Sequence, residues 1–265
     1  MLLRDKVILI SGIGPGMGQA LARIAAKEGA KVGLGARNKE YVDQVTKEII
    51  AAGGQAVGVS CDITKKDQCD NFVAKTAEAF GGKIDGLVNS AVYHGDWAGT
   101  EDADLADWRK IYETNVIGTL QMTQAAVANM KKNGGGAIVN VSTMATVRPY
   151  GFDDSHWEMG YAVAKGGVNV MGRYMSSDLG KYGIRVNTCR MGWIHGAPVE
   201  GFIQNQVNQG AKREDVVGHL TKEIPIGIIP PEDDCARGVL MFVSDYSRVV
   251  SGAVLDVNGG HWMAP

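Results

Sequence analysis

The chain has 265 residues, 45% of them hydrophobic, with 27 Lys and Arg against 29 Asp and Glu. That length and apolar content allow one full core, and a near-neutral charge without a basic stripe excludes nucleic acid or an anionic membrane surface as the main partner. No apolar run reaches the roughly 18 residues of a membrane span, and Cys61, Cys69, Cys189 and Cys235 show neither a Cys-x-x-Cys pair nor metal-ligand spacing, so reduced thiols and a cytoplasmic location are expected.

Apolar runs alternate with amphipathic stretches almost to the end of the chain. The first strand is expected over 6–11, which leaves no room for a signal peptide before it, and a helix over 17–28 stops at Gly29. A second strand over 31–36 leads to a helix over 39–52 before Gly53-Gly54. Strands over 55–60 and 86–89 flank a helix over 66–80. A long helical region runs over 104–132, then a strand over 136–142, a helix over 159–182 and a strand over 185–189. An irregular helical stretch covers 199–223, a last helix 231–244 and a closing strand 253–257. There is no linker, repeat or low-complexity tract. The fold class is therefore α/β: a single doubly wound Rossmann-type domain over residues 1–265, with a mostly parallel seven-stranded sheet flanked by helices. Ligand is expected at the carboxyl ends of the strands.

The first strand closes in Ser11-Gly12-Ile13-Gly14-Pro15-Gly16-Met17-Gly18. Glycines at such a turn let backbone approach phosphates, and the following helix offers unpaired N–H groups and a positive dipole end. Gly12, Gly16, Met17 and Gly18 are the candidate contacts with a dinucleotide pyrophosphate. Further on, Tyr161 and Lys165 stand four residues apart, on one face of a helix, nineteen residues after Ser142. A free tyrosine has a pKa of about 10, and a neighbouring ammonium together with an oxidised nicotinamide would favour its phenolate. Ser142 can hold a substrate oxygen for hydride transfer.

The glycine spacing followed by Ser142, Tyr161 and Lys165 resembles the short-chain dehydrogenase/reductase family, and the resemblance covers nearly the whole chain. It implies a nicotinamide-dependent enzyme in which Tyr161 protonates a ketone or accepts the proton of a secondary alcohol. It makes Asn115 a fourth catalytic member, which holds a water linking Lys165 to solvent, and has Lys165 bond the nicotinamide ribose as well. Asp62, with Ile63 beside it, matches the acid that binds the adenine amino group, and Asn89-Ser90-Ala91 matches the family's Asn-Asn-Ala-Gly element, with Val92 in place of its glycine. After the sixth strand Gly192 is retained, but Met191 and Gly196 stand where proline and threonine are usual, leaving a backbone contact from Ile194. An enoyl reductase relative would have wider Tyr–Lys spacing. The family's dimers and tetramers imply a homodimer or homotetramer.

At the end of the second strand Ala36 occupies the place of the acid that binds the ribose of NAD, and Arg37 follows. A guanidinium can grip a 2′-phosphate, so NADP(H) is favoured over NAD(H), the other reading being a surface cation stacked on adenine. The substrate loops are expected at about 93–103, 143–158 and 192–223, and the Ser–Tyr interval is longer than the usual dozen or so residues. Tyr93, Met144, Phe152, Trp157 and Trp193 are the candidate substrate contacts, joined by Trp97, Met191 and Phe202. Such side chains can wall a pocket for a bulky hydrophobic ketone or alcohol of steroid, terpenoid or aryl type, or can simply pack long loops. Asp153, Asp154 and Glu158 would repel anionic thioesters if they face the pocket, and His94, His156 and His195 are available to position polar groups. A sugar or polyol dehydrogenase, a 3-oxoacyl thioester reductase and a non-catalytic scaffold are the alternatives. No His pair has metal spacing, and no catalytic metal is expected.

Overall fold

The computed structural model describes residues 1–149 and 157–263. In chain order these form β1 (Val7–Ser11), α1 (Met17–Lys27), β2 (Lys31–Ala36), α2 (Lys39–Ala51), β3 (Gln55–Ser60), α3 (Lys66–Ala79) and β4 (Gly86–Asn89). There follow α4 (Leu105–Tyr112), α5 (Thr119–Lys132), β5 (Gly136–Thr143), α6 (Met159–Leu179) and β6 (Ile184–Met191). The rest comprises α7 (Ala197–Asn208), α8 (Arg213–Thr221), α9 (Glu232–Leu240) and β7 (Val254–Val257). The strands lie in the order β3-β2-β1-β4-β5-β6-β7. Every pairing is parallel, where the sequence allowed only a mostly parallel sheet.

A sheet buried on both faces needs strands that are apolar at every position. β1 shows this: Ile8 and Ile10 enter one core with α1, α2 and α9, while Val7 and Leu9 enter the other with α3, α5 and α6. The order reverses between β1 and β4, which opens a crevice beyond the carboxyl ends of these strands.

Two helical stretches differ from the sequence expectation. The region 104–132 is interrupted by a six-residue π-helical segment, Glu113–Gly118, between α4 and α5. The region 199–223 divides into α7 and α8. The break at Gln209-Gly210 coincides with a positive φ of 100° at Gly210, which ends the first helix.

Candidate active site

The turn between β1 and α1 meets the end of β4 at backbone distance. Gly12 has φ 87°, and a Cβ there would stand 2.3 Å from the Ala91 amide nitrogen. A Cβ on Gly18 would stand 2.2 Å from the Gly12 carbonyl oxygen. The bare backbone leaves the first N–H groups of α1 facing a cavity of about 950 Å³, lined here by Gly12, Gly14, Gly16, Met17 and Gly18. The same cavity runs past Ala36, Arg37, Asn38 and Tyr41 around the end of β2, past Asp62 and Ile63 after β3, and past Ala91. Asn38 and Tyr41 had no distinguishing mark in the sequence; they reach the cavity because α2 starts at Lys39, with Asn38 accepting the Glu40 and Tyr41 amides as its cap.

At its other end the cavity is lined by Ser142, Tyr161 and Lys165. Ser142 is 1% exposed at the end of β5, and among the described residues its hydroxyl has no hydrogen-bond partner. Tyr161 and Lys165 sit one turn apart near the start of α6. The buried Lys165 Nζ donates to the Val141 carbonyl at 2.8 Å and lies 5.8 Å from the centroid of the Tyr161 ring. Burial lowers the Lys165 pKa to about 8. The Tyr161 phenol is pushed up, chiefly by burial and then by the Glu158 carboxylate. The sequence reading has the ammonium and an oxidised nicotinamide together favouring the phenolate; in the protein alone burial and Glu158 shift the phenol the other way.

Asn115 lies within the π-helical segment, fully buried. Its Nδ2 donates to the Ile111 and Tyr93 carbonyls at 2.9 and 2.7 Å, and its Oδ1 accepts the Tyr93 amide at 3.4 Å. It therefore ties the loop after β4 to the helix break and does not itself line the cavity. Asn89 also stands behind the wall, donating to Thr123 Oγ1 and Asn140 Oδ1, each at 3.0 Å.

On the substrate side, Met144, Trp193 and Ile194 line the cavity together with Trp97, Met191 and Phe202. Tyr93 does not: its hydroxyl donates to Asp107 Oδ1 at 2.8 Å, which turns it toward α4. Trp157 belongs to a second cavity of about 720 Å³ with Gly99, Thr100, Met159 and Val163, and Ala145 and Glu158 border both spaces. Phe152 lies outside the described residues, as do Asp153, Asp154 and His156. His94 and Glu158 do line the main cavity, and the sequence named both without placing either. His195 instead contacts Glu200, 3.1 Å away, which also takes two bonds from Arg213. Among the described residues no group of three or more His, Cys, Asp or Glu could hold a metal, and no helix is long and apolar enough to cross a membrane.

Known proteins resemble the chain over nearly its whole length. The family description Enoyl-(Acyl carrier protein) reductase matches residues 12–261. The chain is 32% identical to 2,5-dichloro-2,5-cyclohexadiene-1,4-diol dehydrogenase LinX of Sphingobium indicum, covering 97% of this chain and 96% of that protein. The crystal structure of levodione reductase is similar with a TM-score of 0.86 at 27% identity, covering 97% of this chain and 98% of the other. A 7α-hydroxysteroid dehydrogenase complexed with NADH and 7-oxoglycochenodeoxycholic acid is similar with a TM-score of 0.84 at 31% identity, covering 97% and 94%.

Proposed function

The chain belongs to the short-chain dehydrogenase/reductase family of oxidoreductases, and on that footing we propose that it interconverts a bulky hydrophobic ketone and its secondary alcohol with NADP(H). One observation carries the reading. A single cavity joins the glycine turn and Arg37 to Ser142, Tyr161 and Lys165, and continues along Met144, Trp193 and Phe202. Dinucleotide and substrate would thus meet at the residues able to move a proton. Relatives named for a cyclic diol and for a steroid support a ring-bearing substrate.

In this mechanism the N-terminus of α1 would hold the pyrophosphate and Arg37 would hold the 2′-phosphate. The cofactor supplies or takes the hydride. Ser142, whose hydroxyl has no partner among the described residues, holds the substrate oxygen, and Tyr161 exchanges a proton with it. Lys165 brings a positive charge beside the phenol and offers its remaining donors to the nicotinamide ribose. The four-residue Tyr–Lys spacing supports carbonyl chemistry over C=C reduction. Val163, Val170 and Tyr174 form an exposed apolar stripe along α6 that supports a homodimer or homotetramer. Four free, buried cysteines support a reducing, cytoplasmic location.

The test is a tryptophan fluorescence titration with NADPH and NADH, then turnover of a panel of ring ketones and alcohols with the tighter cofactor. Tighter NADPH binding and turnover of ring ketones are expected. Turnover confined to small sugars would overturn the substrate class, and binding without any turnover would overturn the enzymatic reading.

A further inference from the structure

Two side chains at the edge of the substrate space take no part in the chemistry assigned to Ser142, Tyr161 and Lys165. The His94 ring lies against the Tyr161 ring, with centroids 4.4 Å apart and planes inclined by 37°. Its Nδ1 is 3.4 Å from Glu158 Oε1. Both residues line the main cavity, and the Glu158 side chain is only 13% exposed. The wall of the same cavity includes the apolar Met144, Ala145 and Trp193. Beside a phenol that must ionise, a carboxylate works against the ionised form. What it offers in return is acceptor capacity. A carboxylate has about four lone-pair sites, and among the described residues the Glu158 side chain contacts His94, with further acceptor capacity to offer a ligand.

The fold holds this pair in place. Glu158 forms a parallel backbone bridge with Ala98, which ties the start of α6 to the loop after β4. Directly after His94 the chain reverses at Gly95, with φ 71°, where a Cβ would stand 2.4 Å from Asp107 Oδ2. The buried Asp107 clamps both sides of the reversal, taking the Tyr93 hydroxyl at 2.8 Å and the Asp96 amide at 2.9 Å. Asn115 brackets the Tyr93 backbone from below. The imidazole is thus carried on a loop pinned at both shoulders, as a preorganised binding group requires.

We propose that Glu158, oriented by His94, accepts a hydrogen bond from a second hydroxyl of the substrate, borne close to the reacting carbon. The enzyme then selects vicinal diols and hydroxyketones over the matching mono-alcohols and simple ketones. The inference rests on the alcohol–ketone reading above. The contact is a hydrogen bond and adds no covalent step. Glu158 and His94 are positioning and recognition residues, and the proton transfer stays with Tyr161.

The experiment measures kcat and KM for indanol and for the cis and trans vicinal indanediols, with NADP⁺ and NAD⁺, in the wild-type enzyme and in Glu158→Gln and His94→Phe. The preference for a diol is read as a ratio of kcat/KM values, because loss of the Glu158 charge also acts on Tyr161 and so on both substrates. A preference of about tenfold or more is expected in the wild type, falling toward unity in Glu158→Gln. His94→Phe keeps a ring against Tyr161 but cannot orient the carboxylate, and it is expected to raise KM for the diol more than it lowers kcat. NADPH titration of each variant shows that it folds. A wild-type ratio near one, or a ratio unchanged by Glu158→Gln, overturns the inference and leaves the alcohol–ketone reading intact. If no alcohol, diol or matching ketone reacts with either cofactor, that reading falls and takes the inference with it.

Discussion

Lys165 Nζ donates to the carbonyl oxygen of Val141 at 2.8 Å, which places a buried ammonium beside the residue preceding Ser142. The bond ties α6 to the end of β5 and holds the ammonium where only 2% of the residue's surface meets solvent. Its cost appears in the lysine pKa, lowered by burial from 10.5 to about 8.

That shift has a sign in stability. Below pH 8 Lys165 is charged in both folded and unfolded chains, so the folded protein carries the full desolvation cost. Between about 8 and 10.5 the folded form sheds its proton first, and above 10.5 the cost is gone. Lys165→Met is therefore expected to stabilise the cofactor-free protein at neutral pH by about 1–2 kcal/mol, after allowance for the bond lost to Val141. It is also expected to end turnover. Urea unfolding of both proteins near neutrality and near pH 10 checks this: the gap should narrow at the higher pH, and a constant gap would exclude the buried charge as its cause.

Tyr161→Phe is expected to lower kcat about a thousandfold while NADPH still binds, since only the hydroxyl proposed to transfer the proton is removed. Glu158→Gln acts on the same hydroxyl from outside. The carboxylate raises the phenol pKa, so its loss should move the pH midpoint of alcohol oxidation to lower pH. A midpoint unmoved or moved to higher pH would separate Glu158 from the ionisation of Tyr161.

On the proposed reading, cofactor choice turns on the end of β2. Ala36→Asp is expected to weaken NADPH binding about a hundredfold and strengthen NADH, because a carboxylate there repels the 2′-phosphate and accepts ribose hydroxyls. Arg37→Leu should cost NADPH about tenfold and NADH little. Fluorescence titrations with both nucleotides decide it. Equal losses for the two would reduce Arg37 to a cation stacked on adenine.

Gly12→Ala is expected to destabilise the protein by about 2 kcal/mol or more and to abolish nucleotide binding, because φ 87° and a 2.3 Å approach to Ala91 leave no place for a methyl group. Gly14→Ala is its internal control, with nothing within 4 Å of the added carbon and a melting temperature expected near that of the wild type. Similar melting temperatures for the two variants would mean that the turn is looser than its geometry states.

The strands, most helices and the order of glycine turn, Ser142, Tyr161 and Lys165 were legible because each depends on short-range spacing. A buried strand is a run of apolar residues, and a catalytic pair at i and i+4 shares a helix face whatever surrounds it. The π-helical segment at Glu113–Gly118 was not legible, since 104–132 reads as one amphipathic helix and the break is recorded only in where Asn115 finds its partners. Tyr93, Asn89 and Trp157 had the right composition and neighbourhood for ligand contacts, yet none of the three borders the main cavity.

The amino-acid sequence by itself determined the doubly wound architecture, the glycine turn after the first strand and the order of Ser142, Tyr161 and Lys165, all of which follow from local periodicity and spacing. Only the tertiary structure decided which loop side chains meet those residues. It set His94 against Tyr161, brought Glu158 into the cavity wall and turned Tyr93 onto Asp107. Such placements come from loops packed across distant parts of the chain, where burial and hydrogen bonding compete and no sequence period records the outcome.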